Sequence, residues 1–318
     1  MGYCFDAQET VSKGVRRIAR EQLDKAVKCT KPHATPQDDA VHDIRVAFKK
    51  LRALLRLVRT KSKDPVLSRE NACYRDAGRL LSEVRDTTAM LVTLDKFIAH
   101  SSAQLARHAF DDVRKPFVKK QRTQRSQKQH AIAAVARMLA SARRRVAKWP
   151  IDHEGFSALR RGLRHTYTRG RTIQAQVHAT PTVETLHEWR KRVKDLGYQV
   201  GVLKPMWPEL LGGLANELER LADYLSDNHD LAILRQALKK LPLEDNLQME
   251  ALIDKIDQRR SELAVEAQQV GARIYGEKPN DFVRRLHGYW ESWFAEMKAE
   301  RLPPSSNSIS ETRLSTRS

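Results

Sequence analysis

The stretch Val41–Arg59, VHDIRVAFKKLRALLRLVR, decides the reading, because Leu186–Lys204, LHEWRKRVKDLGYQVGVLK, repeats it at an offset of 145 residues. His42 aligns with His187, Arg45 with Arg190, Lys49 with Lys194, Leu51 with Leu196 and Arg59 with Lys204. In the first copy Ile44, Phe48, Leu51, Leu55 and Val58 step by 4, 3, 4 and 3. That spacing puts an apolar stripe on one face of an α-helix. His42, Arg45, Lys49, Arg52, Arg56 and Arg59 step by 3, 4, 3, 4 and 3 and form a second, basic stripe. At roughly 100° per residue the two stripes lie about 110° apart around the helix. Like charges at i and i+4 repel, and only Asp43 offsets the row within this stretch. Such a row, about 25 Å long at ~1.5 Å per residue, costs stability unless a polyanion or acids on neighbouring helices cover it.

A second echo follows each copy. LLSEVRDTTAML contains Asp86 and YLSDNHDLAIL contains Asp230, so the spacing from His42 to Asp86 is 44 and from His187 to Asp230 is 43. Two elements recurring in one order at one separation indicate a duplicated helical unit. The expected fold is all-α, two tandem four-helix bundles related by the internal repeat. Residues 1–150 form the first bundle, residues 151–302 the second, and residues 303–318 a disordered Ser-rich tail. Trp149-Pro150 marks the boundary between the bundles.

The rest of the chain agrees. Helices are expected over 11–28, from Asp38 or Asp39 as cap to about 59, 68–81 and 87–99. A basic stretch follows over 105–148, with Pro116 starting or kinking a helix. The second series runs over 155–177, 182–204, 208–226, 229–240, 246–275 and 279–300. Proline punctuates both series, as at Pro36, Pro65, Pro181, Pro208 and Pro279. Across 318 residues, 41 % hydrophobic content suffices for a core, while mean hydropathy is −0.60 and no apolar run is long enough to span a membrane. Three dispersed cysteines, Cys4, Cys29 and Cys73, suit a reducing compartment, and the N-terminus lacks a signal pattern. A cytoplasmic protein is expected.

Charge is distributed unevenly. Residues 1–150 carry 33 Lys+Arg against 15 Asp+Glu, and residues 151–318 carry 25 against 24. Residues 101–150 alone hold 13 basic and 2 acidic residues. An excess of this size draws polyanions by long-range field and counterion release. A solvated basic surface is the plainer alternative.

The H-x-x-R-x-x-x-K helix in both halves, with a downstream Arg85-Asp86 or His229-Asp230, resembles the CHAD domain (conserved histidine α-helical domain). The resemblance spans about residues 8–300. It makes His42 and His187 the namesake histidines, with Arg45, Lys49, Arg52 and Arg56 the basic positions of the first repeat. Arg190, Lys191 and Lys194 are those of the second. It implies basic residues lining the surface between two bundles, binding of inorganic polyphosphate, and association with polyphosphate granules. Gly197 and Gly201 stand where the first repeat has Arg52 and Arg56, so the basic stripe is shorter in the second half. The expected contacts are thus His42, Arg45, Lys49, Arg52, Arg56, Arg59, His187, Arg190, Lys191 and Lys194. Lys119, Lys120, Arg143, Arg144 and Arg145 extend the track. No catalytic residue, metal ligand or cofactor is expected.

Three alternatives stand beside this reading. A nucleic-acid binder shares the charge, but no zinc-finger, RRM or KH signature occurs and aromatics do not interleave the basic runs. A metal-dependent phosphohydrolase could use His42-Asp43 and His229-Asp230 as ligands, yet there is no P-loop, H-E-x-x-H or G-x-S-x-G. A scaffold could present Tyr289, Trp290, Trp293 and Phe294 to a partner, or bury them as core.

Overall fold

Capping chemistry starts the helices close to where the sequence places them. The Thr10 hydroxyl accepts the Lys13 amide at 3.3 Å and opens α1, Val11–Cys29. The computed structural model describes residues 2–31, 37–59, 64–83, 86–101, 111–123, 125–151, 153–240 and 247–300. Among them are eleven α-helices and no strand. After α1 come α2, Gln37–Leu57; α3, Pro65–Glu83; α4, Asp86–Ser101; α5, Asp111–Thr123; and α6, Arg125–Arg145. A 3-10 turn over Val146–Lys148 leads to α7, Ser157–Ala179; α8, Val183–Leu203; α9, Pro208–Leu238; α10, Leu247–Ile274; and α11, Pro279–Glu300. The expected tail, 303–318, lies outside the described residues.

Several boundaries differ from expectation for identifiable reasons. Asp38 and Asp39 sit inside the first turn of α2 rather than capping it, where carboxylates complement the helix dipole. Asp64 caps α3, accepting the Leu67 amide at 2.9 Å, so the helix starts at Pro65, the position that tolerates proline best. Of the two alternatives for Pro116, it does not start a helix but lies inside α5. The expected break between residues 226 and 229 is absent, and α9 runs on for 31 residues. Two of its polar residues are satisfied in place. The Ser226 hydroxyl donates back to the Ala222 carbonyl and buried Asn228 donates to the Arg260 carbonyl on α10 at 2.6 Å.

The helices pack around two apolar clusters. The larger draws Ile18 and Leu23 from α1, Ile44 and Leu51 from α2, Tyr74 from α3, Leu139 from α6, Leu163 from α7, Trp189 and Leu196 from α8, and Phe282 from α11. It contains residues from both sides of Trp149, itself buried. Trp290 and Trp293 are core here too, with Phe5 and Phe156 ringing Trp290. The smaller cluster joins Leu94 and Phe97 of α4 and Phe117 of α5 to Leu234 of α9 and Leu252 and Ile256 of α10. Helices of the first half thus complete a core with helices of the second, and α9 runs from one cluster to the other.

The repeated helices α2 and α8 are both 21 residues long and pack on one another. Buried Gln199 of α8 donates to the Ala53 carbonyl of α2 at 3.2 Å. At the end of α2, α7 crosses so closely that a Cβ on Gly162 would overlap the carbonyl oxygens of Arg56 and Leu57. Backbone cannot move aside as a flexible side chain can. Gly162→Ala should therefore destabilise the fold by about 1–3 kcal/mol, despite alanine's better helix propensity. Chemical denaturation would show the midpoint fall, whereas a rise would mean that α7 shifts freely.

Candidate functional site

Each repeated helix turns its basic stripe toward a shared cavity of about 800 Å³. From α2 come Arg45, Lys49, Arg52 and Arg56; from α8 come His187, Arg190, Lys191, Arg192 and Lys194. Arg75 and Arg79 of α3 and Arg169 of α7 add to the lining. Among the described residues, eleven Lys and Arg therefore face three carboxylates, Glu188, Asp195 and Asp230. Two of the three are already engaged. Glu188 accepts Lys191 at 2.5 Å. Asp195, only 8 % exposed, accepts a hydrogen bond from Arg56 at 2.9 Å and forms an ion pair with Arg192 at 3.2 Å.

The arginines are aimed by neutral groups as well. Arg45 donates to the Gly78 carbonyl at 3.2 Å and to the Ser82 hydroxyl. Arg190, its counterpart, donates to the Ser226 hydroxyl at 2.9 Å. Ser82 and Ser226 each donate in turn to the carbonyl four residues earlier, Gly78 and Ala222. The sequence repeat is thus a repeat of bonded structure. Arg52 donates to Asn71 at 3.3 Å. Such acceptors fix a guanidinium without cancelling its charge.

The crowding is visible in the titration of these groups. Burial, then the charge of Arg56, followed by Arg75 and Arg192, pushes Arg52 down to about 10, against the pull of Asp195. Burial also lowers Arg56, where Asp195 opposes and Arg192 adds to the shift. His187 and His229 stack with ring centroids 4.3 Å apart. Burial pushes His187 down to about 4, aided by His229, Lys191 and Arg190. Burial and the cations Arg190, Lys191 and Lys194 do the same to His229. Both rings are therefore neutral near pH 7.

Eight of the expected contacts line this cavity, namely Arg45, Lys49, Arg52, Arg56, His187, Arg190, Lys191 and Lys194. Seven do not. His42 is exposed in the second turn of α2 and faces a neighbouring cavity of about 580 Å³ with Asp38, Asp39, Lys96, Asp227 and Arg259. The two cavities share Ala89, Thr93 and Asp230. Arg59 is exposed just beyond α2. Lys119 and Lys120 are exposed on α5. Arg143 pairs with Asp24 at 2.5 Å, and Arg145 pairs with fully buried Glu70 at 2.5 Å. Arg144, between them, is exposed. Arg85 lies outside the described residues, as does the side chain of Asp86. Among the described residues no three His, Cys, Asp or Glu are placed to hold a metal ion. No helix of the described residues is long and apolar enough to cross a membrane.

Sequence reasoning missed Arg75, Arg79, Arg169, Arg192 and Asp195. Arg75 and Arg79, four apart on one helix, carried a readable signal, as did Asp195, a lone acid following Arg190 to Lys194. Arg169 is one of several arginines on α7, and nothing in its spacing singles it out.

Comparison with known proteins supports the architecture. The structure is similar to the crystal structure of the CHAD domain from the plant Ricinus communis, with a TM-score of 0.51 and 15 % sequence identity. The match covers 90 % of this chain and 94 % of that one, and at this identity it speaks to the fold alone. No curated protein matches the sequence. The CHAD domain family matches residues 17–239, which contain both repeated helices and the helices that carry the cavity's cations. The chain belongs to the CHAD domain family.

Proposed function

We propose that the protein binds inorganic polyphosphate without turning it over, and that the cavity between α2 and α8 is the site. The observation that carries this reading is the convergence of basic side chains from both repeats on one cavity, eleven cations against three carboxylates among the described residues. A chain of phosphates without bases asks for many charge-assisted donors, and guanidinium groups supply them in pairs. Serine, asparagine and carbonyl oxygens aim the guanidinium groups of Arg45, Arg52 and Arg190. On this reading the protein is cytoplasmic and associates with polyphosphate granules.

Lys49 and Lys194 occupy equivalent positions in the two repeats and both line the cavity. The variant Lys49→Glu/Lys194→Glu should lose at least ~100-fold in affinity for long-chain polyphosphate at physiological salt, with helix content retained by circular dichroism. Each single change should weaken binding by a smaller factor, and the slope of log affinity against log salt should become shallower. Unchanged affinity in the double variant would remove the cavity from the account.

Binding should also respond to pH with a definite sign. In the free protein His187 and His229 protonate only near pH 4. A bound polyanion favours the charged imidazoles and raises both values. Binding then takes up protons, so affinity should rise as pH falls from 7 toward 5. The double variant His187→Gln/His229→Gln should flatten that rise in a titration series.

A further inference from the structure

Among the described residues, the densest basic segment of the chain takes no part in the cavity. From Val113 to Ile151 the sequence contains no Asp or Glu over 39 residues, while holding 12 Lys and Arg. Among the described residues, none of α5 or α6 lines the α2–α8 cavity. We propose that the outer face of α6 is a second polyanion surface, one that holds the phosphate backbone of duplex nucleic acid.

The face is built by helical spacing. Ala131, Val135, Leu139 and Ala142 bury the inner side of α6, which packs on α1 and α3. His130, Arg137 and Arg144 step by seven along the opposite side, and Lys148 continues the line in the 3-10 turn. All four are exposed. Ala133 and Ala140 lie between them, also exposed, so small side chains leave the cations standing clear. In the run Arg143-Arg144-Arg145 the outer two are tied to Asp24 and Glu70, and the middle one faces solvent. Among the described residues none of Arg137, Arg144 and Lys148 has a carboxylate partner. The helix dipole accounts for cations in the last turn, but not for mid-helix Arg137 nor for the absence of any acid on α6.

The occupant follows from shape and composition. The stripe from His130 to Arg144 is straight and about 21 Å long at ~1.5 Å per residue, enough to reach both strands across a major groove about 12 Å wide. An open helix face suits a broad rod, whereas the cavity suits a thin chain. Residues 118–148 contain no Phe, Tyr or Trp, so the face has no platform on which unpaired bases could stack. Backbone contact with a duplex, independent of sequence, is what remains.

The test uses the full chain with a fluorescent 20-base-pair duplex and, separately, long-chain polyphosphate. Arg137→Glu/Arg144→Glu/Lys148→Glu should bind the duplex at least ~10-fold more weakly and lower the salt slope by about 2–3. It should bind polyphosphate as the unaltered chain does. The Lys49→Glu/Lys194→Glu variant should keep the duplex. The Gln versions of the three α6 changes should show the same order of effects, with a smaller loss, should the Glu protein fold poorly. Failure of the unaltered chain to bind the duplex would overturn the proposal. So would unaltered duplex affinity in the α6 variants, or equal loss of both ligands, which would make the face an extension of the cavity. A cavity variant that retains polyphosphate counts against the cavity reading alone.

Discussion

One carboxylate makes the α2–α8 pairing tolerable. Both helices carry rows of cations, and packing them together would set those rows against each other in a partly dry space. Asp195 lies at the crossing, accepting a hydrogen bond from Arg56 of α2 and pairing in charge with Arg192 of its own helix. Removing such a buried partner would leave a cation uncompensated, at a cost of about 3–5 kcal/mol. The bond from Gln199 to the Ala53 carbonyl and the close approach of Gly162 to the end of α2 fix the same crossing by other means. The cavity is a consequence of that crossing.

Among the described residues the cavity lining holds eleven cations and three carboxylates, so Asp195 offsets only part of the charge. Arg45, Arg52 and Arg190 hydrogen-bond to serine, asparagine and carbonyl oxygens. These hold the guanidinium groups in place. The depressed titration of Arg52, His187 and His229 has the same origin as the expected affinity, namely burial and like charge in one space. Elsewhere the arginines are used differently. Arg145 is committed to buried Glu70, and Arg17 to Glu9 and Glu21.

Much of this was legible in the chain. Heptad-like spacing gave the α2 stripe, and the offset of 145 residues matched it to α8, whose bounds agree to within one residue. The eight cavity residues foreseen are those on the two repeated helices, where helical periodicity fixes the face. The echo around Ser82 and Ser226 also stood in the sequence, but its meaning as an arginine anchor needed coordinates. Periodicity fails between helices. It could not show that His42 turns to a neighbouring cavity, that Arg145 meets Glu70 some 75 residues away, or that α4 and α5 complete a core with α9 and α10. The unbroken α9 was hidden for a related reason. Ser226, Asp227 and Asn228 read as a break until Asn228 is seen to be satisfied by the Arg260 carbonyl of α10.

The central claim is that both repeats grip one phosphate chain in one place. A crystal structure of the protein with a short linear polyphosphate tests it most directly. The account predicts phosphates in the α2–α8 cavity, within hydrogen-bond distance of Lys49 and Arg52 on one side and of Arg190 and Lys194 on the other. Phosphates bound only outside that cavity, or touching the cations of one repeat alone, would contradict it.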